Sequence, residues 1–398
     1  MNEFIILDPS LKSFNGHFLT YDNAIAVASK QYDFTTTVLA SSTAIDLPCD
    51  FKLIPTFRYE LEDSFIRLPA LSNLTNLINK KLIHQFFLND LGNGIQQVEQ
   101  KKDLVIYLHT TTHYQIPPLV KWVKTNRKLN PTVFVMLRYS PSPNPYYPLS
   151  GDFNKYRAAI KYLEESGVSK HFRLIVDSDL LKEEYSLMTY LPISLVPIPH
   201  TMSAELYNID TNKNQPKLLT YLGNARSTKG FQYLSHLVAD LREELISGKW
   251  SAEFQSNVMF LRDKESVVSV ALMRGLPVKL IERELSIIEY EDLLKRSSLV
   301  LIPYQLLYYH SQTSGIFCEA LGAGKPVVVP RGTWMAKQLK SKNIGETFYP
   351  GDRISFTKAT KIAMKKIDEL TDNAKNYREE WVGYHNPNNF FKSLLELL

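Results

Sequence analysis

Cysteine is almost missing from this sequence. Its 398 residues include only Cys49 and Cys318, with no CxxC spacing, so neither a disulfide framework nor a cysteine zinc site is supported, and a reducing cytoplasm is the expected setting. Long apolar runs are missing too: no stretch approaches the ~18 residues of a membrane-spanning helix. The opening MNEFIILDPSLKS sets Glu3 and Asp8 beside an apolar run too short for a secretion signal. The sequon Asn73-Leu74-Thr75 is therefore not expected to be glycosylated. Charge of one sign is not in large excess. Lys and Arg number 46 against 41 Asp and Glu, a net +5 that suits phosphorylated ligands or an anionic lipid surface and falls short of a nucleic-acid-binding signature. No internal repeat or low-complexity tract occurs. GAGKP is not an ATPase-type phosphate loop, because the glycine required five residues before Gly324 is absent and Pro326 replaces the Ser or Thr.

What is present is globular: 44% hydrophobic, 22% charged and 12% aromatic residues, with length for two domains or more at roughly 150 residues each. Short β-branched or aromatic runs alternate with longer amphipathic segments, the pattern of βαβ units and a parallel sheet. In the first half, strands are expected at Phe4–Leu7, Thr37–Ala40, Leu104–Leu108, Val133–Leu137 and Phe172–Val176. Helices are expected at Phe18–Lys30, Pro118–Lys128, Lys155–Glu165 and Leu180–Met188. The Pro-rich LPISLVPIPH and the polar stretch after it mark a hinge near residues 197 to 216. Alternation then restarts, with strands at Leu218–Leu222, Glu253–Leu261, Val278–Ile281, Leu299–Pro303 and Val327–Val329, and helices from about Ala359 to the end. The expected fold class is α/β: two Rossmann-like αβα domains facing across a cleft, at 1–197 and 217–375, with a C-terminal helical segment, 376–398, packing back on the first domain.

Open α/β sheets bind ligands at the carboxyl ends of their strands. The first strand of the second domain runs into YLGNARSTKGFQYL, with Gly223 at its end, Arg226 and Lys229 in the loop and a helix expected near Gly230. Two cations beside the amides of a helix start form a diphosphate cradle; a plain strand-helix turn with solvated charges is the alternative. Further on, HSQTSGIFCEALGAGKPVVVP places Thr313, Ser314 and Gly315 at the start of a helix, where N–H groups and hydroxyls point at an anion. Glu319, one turn along, can accept hydrogen bonds from a ribose diol.

In the first domain, His109 ends the strand LVIYLH at the ligand-binding rim, and His113 follows closely. Asp177-Ser178-Asp179 matches a DxD pair that binds a divalent cation, although Asp179 also suits a helix N-cap before LLKEEY. RYSPSPNPYY, Arg138 to Tyr147, reads as a sugar-stacking surface or as a Pro-stiffened loop.

On YLGNARSTKG, TSGIFCEALGAGKPVVVP, NGHFLTYDNAIAVA and the two-domain layout, the chain resembles the retaining glycosyltransferases of the GT-B fold, in particular glycosyltransferase family 4. The resemblance implies transfer of a sugar from a nucleotide-diphosphate-sugar donor to a carbohydrate, lipid-linked or other acceptor, with retention of configuration, in surface polysaccharide or glycan assembly. It implies that Lys229 and Arg226 hold the donor diphosphate, although Asn224 stands where the family's arginine usually directly follows the glycine. It assigns Glu319 to the donor ribose, Gly16 in Asn15-Gly16-His17 to the loop that lets backbone N–H groups approach the donor, and His109 to the active site. Where the family has the first glutamate of its E-x(7)-E motif, this chain has Ser311, so Thr313, Ser314 and Gly315 are the candidates for the donor sugar. No cofactor or metal is expected, and no nucleic-acid partner. The expected location is the cytoplasm, with weak peripheral contact at the inner face of a membrane left open by the basic balance. Two other readings share the architecture: a non-catalytic sugar- or nucleotide-binding protein and a sugar-nucleotide epimerase.

Overall fold

Strands that are apolar almost without a break are stable only with both faces covered. In the computed structural model, which describes residues 2–12, 17–59, 72–99, 102–141, 153–199, 216–258 and 261–398, those beginning at Phe4, Leu104 and Val133 are interior strands of one parallel sheet. The chain divides into two units: Met1–Thr201 with His385–Leu398, and Met202–Tyr384.

Unit 1 contains β1 (Asn2–Asp8), β2 (Phe34–Ser41), β3 (Lys52–Phe57), β4 (Val105–Leu108), β5 (Thr132–Met136), β6 (Phe172–Val176) and β7 (Ile193–Leu195). They lie in the order β3-β2-β1-β4-β5-β6-β7, every pair parallel. Its helices are α1 (His17–Lys30), α2 (Ser72–Gln96), α3 (Ile116–Thr125), α4 (Phe153–Glu164) and α5 (Asp179–Ser186). Side chains alternate across a strand, so β1 sends Ile5 and Leu7 into one buried cluster and Phe4 and Ile6 into another.

Unit 2 contains β8 (Lys217–Tyr221), β9 (Trp250–Gln255), β10 (Lys279–Ile281), β11 (Leu299–Leu301), β12 (Val327–Pro330) and β13 (Gly345–Phe348). Their order, β10-β9-β8-β11-β12-β13, repeats the first six strands of unit 1, again wholly parallel. The helices are α6 (Leu234–Asp240), α7 (Arg242–Ile246), α8 (Lys264–Met273), α9 (Ile287–Arg296), α10 (Leu306–Tyr309), α11 (Gly315–Gly322), α12 (Trp334–Leu339), α13 (Arg353–Lys365) and α14 (Ile367–Tyr384). In each sheet the strand order reverses between the first strand and the fourth, β1 and β4 or β8 and β11, and a ligand crevice opens at such a switch point.

The last helix, α15 (Pro387–Leu395), belongs to unit 1. Asn386 caps its N-terminus with Pro387 in the first turn, and Phe391 packs edge-on against Phe4 at 5.0 Å and Phe34 at 5.5 Å. Among the described residues no helix is long and apolar enough to cross a membrane.

Several details differ from the sequence reading. The expected division at 375/376 falls inside α14, and the units part at Tyr384/His385 instead, because Leu370, Ala374 and Trp381 of that helix are all buried. Much of the expected hinge, 200–215, lies outside the described residues. β3, β7 and β13 were not expected, and each is the edge strand of its sheet: Pro55 in β3 is tolerated there because one side of the ladder is open. α2 was missed because it carries no single apolar stripe. Ser178, not Asp179, caps α5, its side chain accepting from the Leu181 N–H at 3.3 Å.

Candidate functional site

The switch point of unit 2 is built from the loops after β8 and β11 and the start of α11. After β8, Gly223 takes φ 92°, and its N–H donates to Gln255 Oε1 at 2.7 Å. A Cβ there would lie 3.1 Å from Lys229 Nζ and 2.9 Å from Ile316 Cδ1. The lysine head therefore rests directly over the glycine. Residues 227–229 form a 3-10 turn, and Gly230 follows in the left-handed region at φ 69°. A Cβ on Gly230 would be 1.8 Å from the Pro303 carbonyl oxygen, so only glycine fits. The α-helix expected near Gly230 begins later, at Leu234, after a second 3-10 turn.

Hydrogen bonds tie this loop down. Asp263 accepts from the Ser227 N–H at 2.7 Å, Gln305 Nε2 donates to the Ser227 carbonyl at 2.7 Å, and the Gln305 N–H donates to the Thr228 carbonyl at 3.1 Å. Lys229 is thus presented on a rigid support, its Nζ 5.5 Å from the Tyr304 ring centroid. The Tyr304 hydroxyl lies beside the Ser314 side chain. Ser314 in turn caps α11, its Oγ accepting from the Phe317 N–H at 3.3 Å. Gly315, the first helical residue, is exposed, and Thr313 is half-buried. From the same helix Glu319 accepts a hydrogen bond from the Tyr290 hydroxyl.

Burial sets the charges. It pulls Lys229 down to about 7, helped by Arg226 and opposed by Glu319. It pushes Glu319 up to about 7, against the Tyr290 hydrogen bond and Lys229. A polyanion would restore the lysine's charge, and diol hydroxyls would stabilise the carboxylate. Arg226, Lys229, Ser314 and Glu319 therefore converge with the exposed helix start at Gly315. Ser311 is fully buried, and its Oγ has no hydrogen-bond partner among the described residues. Tyr290, Tyr304, Gln255 and Asp263, which hold this arrangement together, escaped the sequence reading because they come from four separate segments.

The remaining expected residues lie in unit 1. Gly16 falls outside the described residues. His109 is buried, 1% exposed, with its ring edge-on to Tyr21 at 4.4 Å and its Nδ1 2.8 Å from Thr110 Oγ1. Asp8 and Asp22 lie with it, unmarked in the sequence by any spacing rule. Burial pushes Asp8 up to about 7 and Asp22 well above the usual carboxylate range. His113 packs between Tyr114 and Tyr156 at ring distances of 4.0 and 5.3 Å. Asp177 pairs with Arg138, Nε to Oδ2 at 3.3 Å, and its side chain is 1% exposed. The beginning of the RYSPSPNPYY loop is therefore used in an internal ion pair; residues 142–147 lie outside the described ones.

No protein-family model and no curated protein matches this sequence. Solved structures do match over the full length. Sucrose-phosphate synthase from Thermosynechococcus elongatus aligns at a TM-score of 0.67 and 13% identity, covering 100% of this chain and 98% of its own. The fold is GT-B. HepE from Anabaena, solved in complex with UDP, shares this GT-B fold at a TM-score of 0.64 and 12% identity, with 100% and 99% covered. WaaG, a glycosyltransferase involved in lipopolysaccharide biosynthesis, does so at 0.62 and 16%, with 98% and 99% covered.

Proposed function

We propose that this chain is a glycosyltransferase that takes a sugar from a nucleotide-diphosphate-sugar donor, held by unit 2, and delivers it to a glycan, lipid-linked or other acceptor held by unit 1. The observation that carries this reading is Lys229, a half-buried ammonium poised near neutrality over Gly223, beside the start of α11 and Glu319. Burying such a cation without a partner is unfavourable, and a diphosphate supplies the missing charge. HepE has been solved with UDP and with UDP-glucose, which supports the same ligand class.

In this reading Lys229 and Arg226 contact the diphosphate together with the N-terminus of α11, and Glu319 accepts from the ribose. Thr313, Ser314 and Gly315 contact the donor sugar. An acceptor hydroxyl attacks the anomeric carbon as the bond from that carbon to the diphosphate oxygen breaks. The leaving diphosphate keeps the electron pair and takes the hydroxyl proton, so transfer on the same face retains configuration without a strong protein base. His109 positions the acceptor. Lys229, Arg226 and the helix end supply the positive field on the diphosphate, so activity is expected to persist in excess EDTA. The scarcity of cysteine and the mild basic balance favour work in the cytoplasm, with peripheral contact at the inner face of a membrane.

The test is a panel of nucleotide sugars, read by nucleotide release with and without carbohydrate and lipid-linked acceptors. Acceptor-dependent release supports transfer. Binding without turnover of any donor would make the chain a sugar-nucleotide binder, and conversion of the sugar without release would make it an epimerase.

A further inference from the structure

The switch point of unit 1 holds a polar cluster of which the proposed transfer uses only His109. β1 and β4 are paired with Leu7 opposite Leu108, so the residues that follow, Asp8 at the end of β1 and His109 just past β4, lie side by side at the carboxyl edge of the sheet. Asp22 on α1 completes the set. One ligand atom from each of the three lies within 4.8 Å of the other two, and the residues are 2%, 1% and 0% exposed in the order Asp8, His109, Asp22.

The charges nearby do not balance. Among the described residues, Arg138 is the cation that acts on Asp8 and Asp22, and its guanidinium is directed elsewhere: to Asp177 at 3.3 Å, over the Tyr21 ring at 4.4 Å and to the Tyr21 hydroxyl. Asp8 Oδ1 accepts from the Ser10 N–H at 3.0 Å. Among the described residues, Asp8 Oδ2 and both oxygens of Asp22 meet no donor, other than a proton the two carboxyls would share. Three carboxylates, Asp8, Asp22 and Asp177, against one guanidinium leave two negative charges in excess in a buried region, and buried charge must be neutralised. Two protons would do so, and so would one divalent cation. The cation would also take the imidazole as a ligand.

We propose that Asp8, Asp22 and His109 form a binding site for a divalent first-row transition-metal ion. Two carboxylate oxygens and an imidazole nitrogen suit zinc, manganese, iron(II) or cobalt(II) better than calcium, which takes oxygen ligands alone. Ligands at about 2.1 Å from one ion lie up to roughly 4 Å apart, so small side-chain rotations close the observed spacing. His109 Nδ1 is already engaged with Thr110 Oγ1 at 2.8 Å. A partner on one ring nitrogen is what orients a ligating histidine to bind through the other, here Nε2. Three protein ligands keep coordination positions open for water. Once bound, the ion ties α1 to the carboxyl ends of β1 and β4.

The experiment uses the full chain, stripped with chelator, exchanged into chelator-free buffer and titrated with Co2+. Visible absorption and calorimetry should show one equivalent bound, the unfolding temperature should rise with metal, and absorption at the cobalt edge should report imidazole and oxygen ligands. Asp22→Asn should weaken binding at least tenfold. The wild-type readings need no variant, so a poorly folded Asp22→Asn protein leaves the test intact. Absence of saturable binding up to millimolar Co2+, a coordination shell without imidazole, or unchanged affinity in a folded Asp22→Asn protein overturns the site and leaves a proton-sharing acid pair. Nucleoside diphosphate binding, measured on the same samples, reports on Lys229 and Glu319 in unit 2 and separates failure of this proposal from failure of the transferase reading.

Discussion

Lys229 and Glu319 oppose each other's shifts across the switch point of unit 2, and burial overrides the opposition: both titrate at about 7. A lysine and a carboxyl that together favoured a permanent ion pair would move the other way, the lysine up and the acid down. The pair is held near neutrality and becomes charged where a ligand supplies the partners.

Replacing Lys229 by Met should weaken nucleoside diphosphate binding by about 1.5 to 3 kcal/mol, the value of a charged hydrogen bond, or roughly tenfold to 150-fold. The same change should raise the unfolding temperature of the free protein, because a desolvated amine is exchanged for an apolar chain of similar length. Calorimetry and thermal unfolding read the two effects separately. Unchanged affinity would remove Lys229 from the diphosphate.

Affinity for nucleoside diphosphate should peak near pH 7. A bound diphosphate favours the ammonium of Lys229, whose pKa is about 7 in the free protein, so binding takes up a proton above that pH and weakens as the pH rises. A ribose diol favours the carboxylate of Glu319, also at about 7, so binding releases a proton below that pH and weakens as the pH falls. Each limb tends toward a tenfold change per pH unit. Glu319→Gln should flatten the acidic limb and Lys229→Met the alkaline one; a profile flat from pH 6 to 9 in the parent protein would contradict both assignments.

Gly230→Ala should be among the most destabilising single changes in unit 2. The added methyl would sit 1.8 Å from the Pro303 carbonyl oxygen, at a φ of 69° that side chains seldom adopt. A loss of at least ~3 kcal/mol is expected, measured by denaturant unfolding. A loss below ~1 kcal/mol would mean that the two loops are not clamped together.

Thr313→Val should reduce turnover while leaving affinity for free nucleoside diphosphate nearly intact, because a contact to the sugar is absent from that complex. Loss of one neutral hydrogen bond corresponds to about 0.5 to 1.5 kcal/mol, a twofold to tenfold effect. Equal weakening of both ligands would assign Thr313 to the phosphate instead.

Ser311→Ala should leave the free protein as stable or more stable, since the buried hydroxyl it removes has no hydrogen-bond partner among the described residues and an unsatisfied buried polar group is unfavourable by about 1 to 3 kcal/mol. Ser311→Glu should harm both stability and turnover, because the site is fully enclosed and would have to bury a bulky anion. A Glu variant that matched or exceeded the parent in turnover would show that the pocket still accepts the carboxylate.

The sequence by itself determined the interior of both sheets. β1, β4 and β5 are apolar enough to demand cover on both faces, and the alternation with helices then dictates parallel strands. It also marked Gly223, Arg226, Lys229, Ser314 and Glu319, because a glycine, two cations and a helix start near a strand's end are local signals. The edge strands β3, β7 and β13 were illegible: an edge is defined by which strand lies beside it, and Pro55 argues against a strand unless one side is open. Only the tertiary structure decided that Tyr290 would hold Glu319 and that burial would bring Lys229 and Glu319 to the same pKa, since burial depends on chain far away in sequence. It alone united Asp8, Asp22 and His109, because the pairing of β1 with β4 joins residues about a hundred positions apart that no local pattern connects.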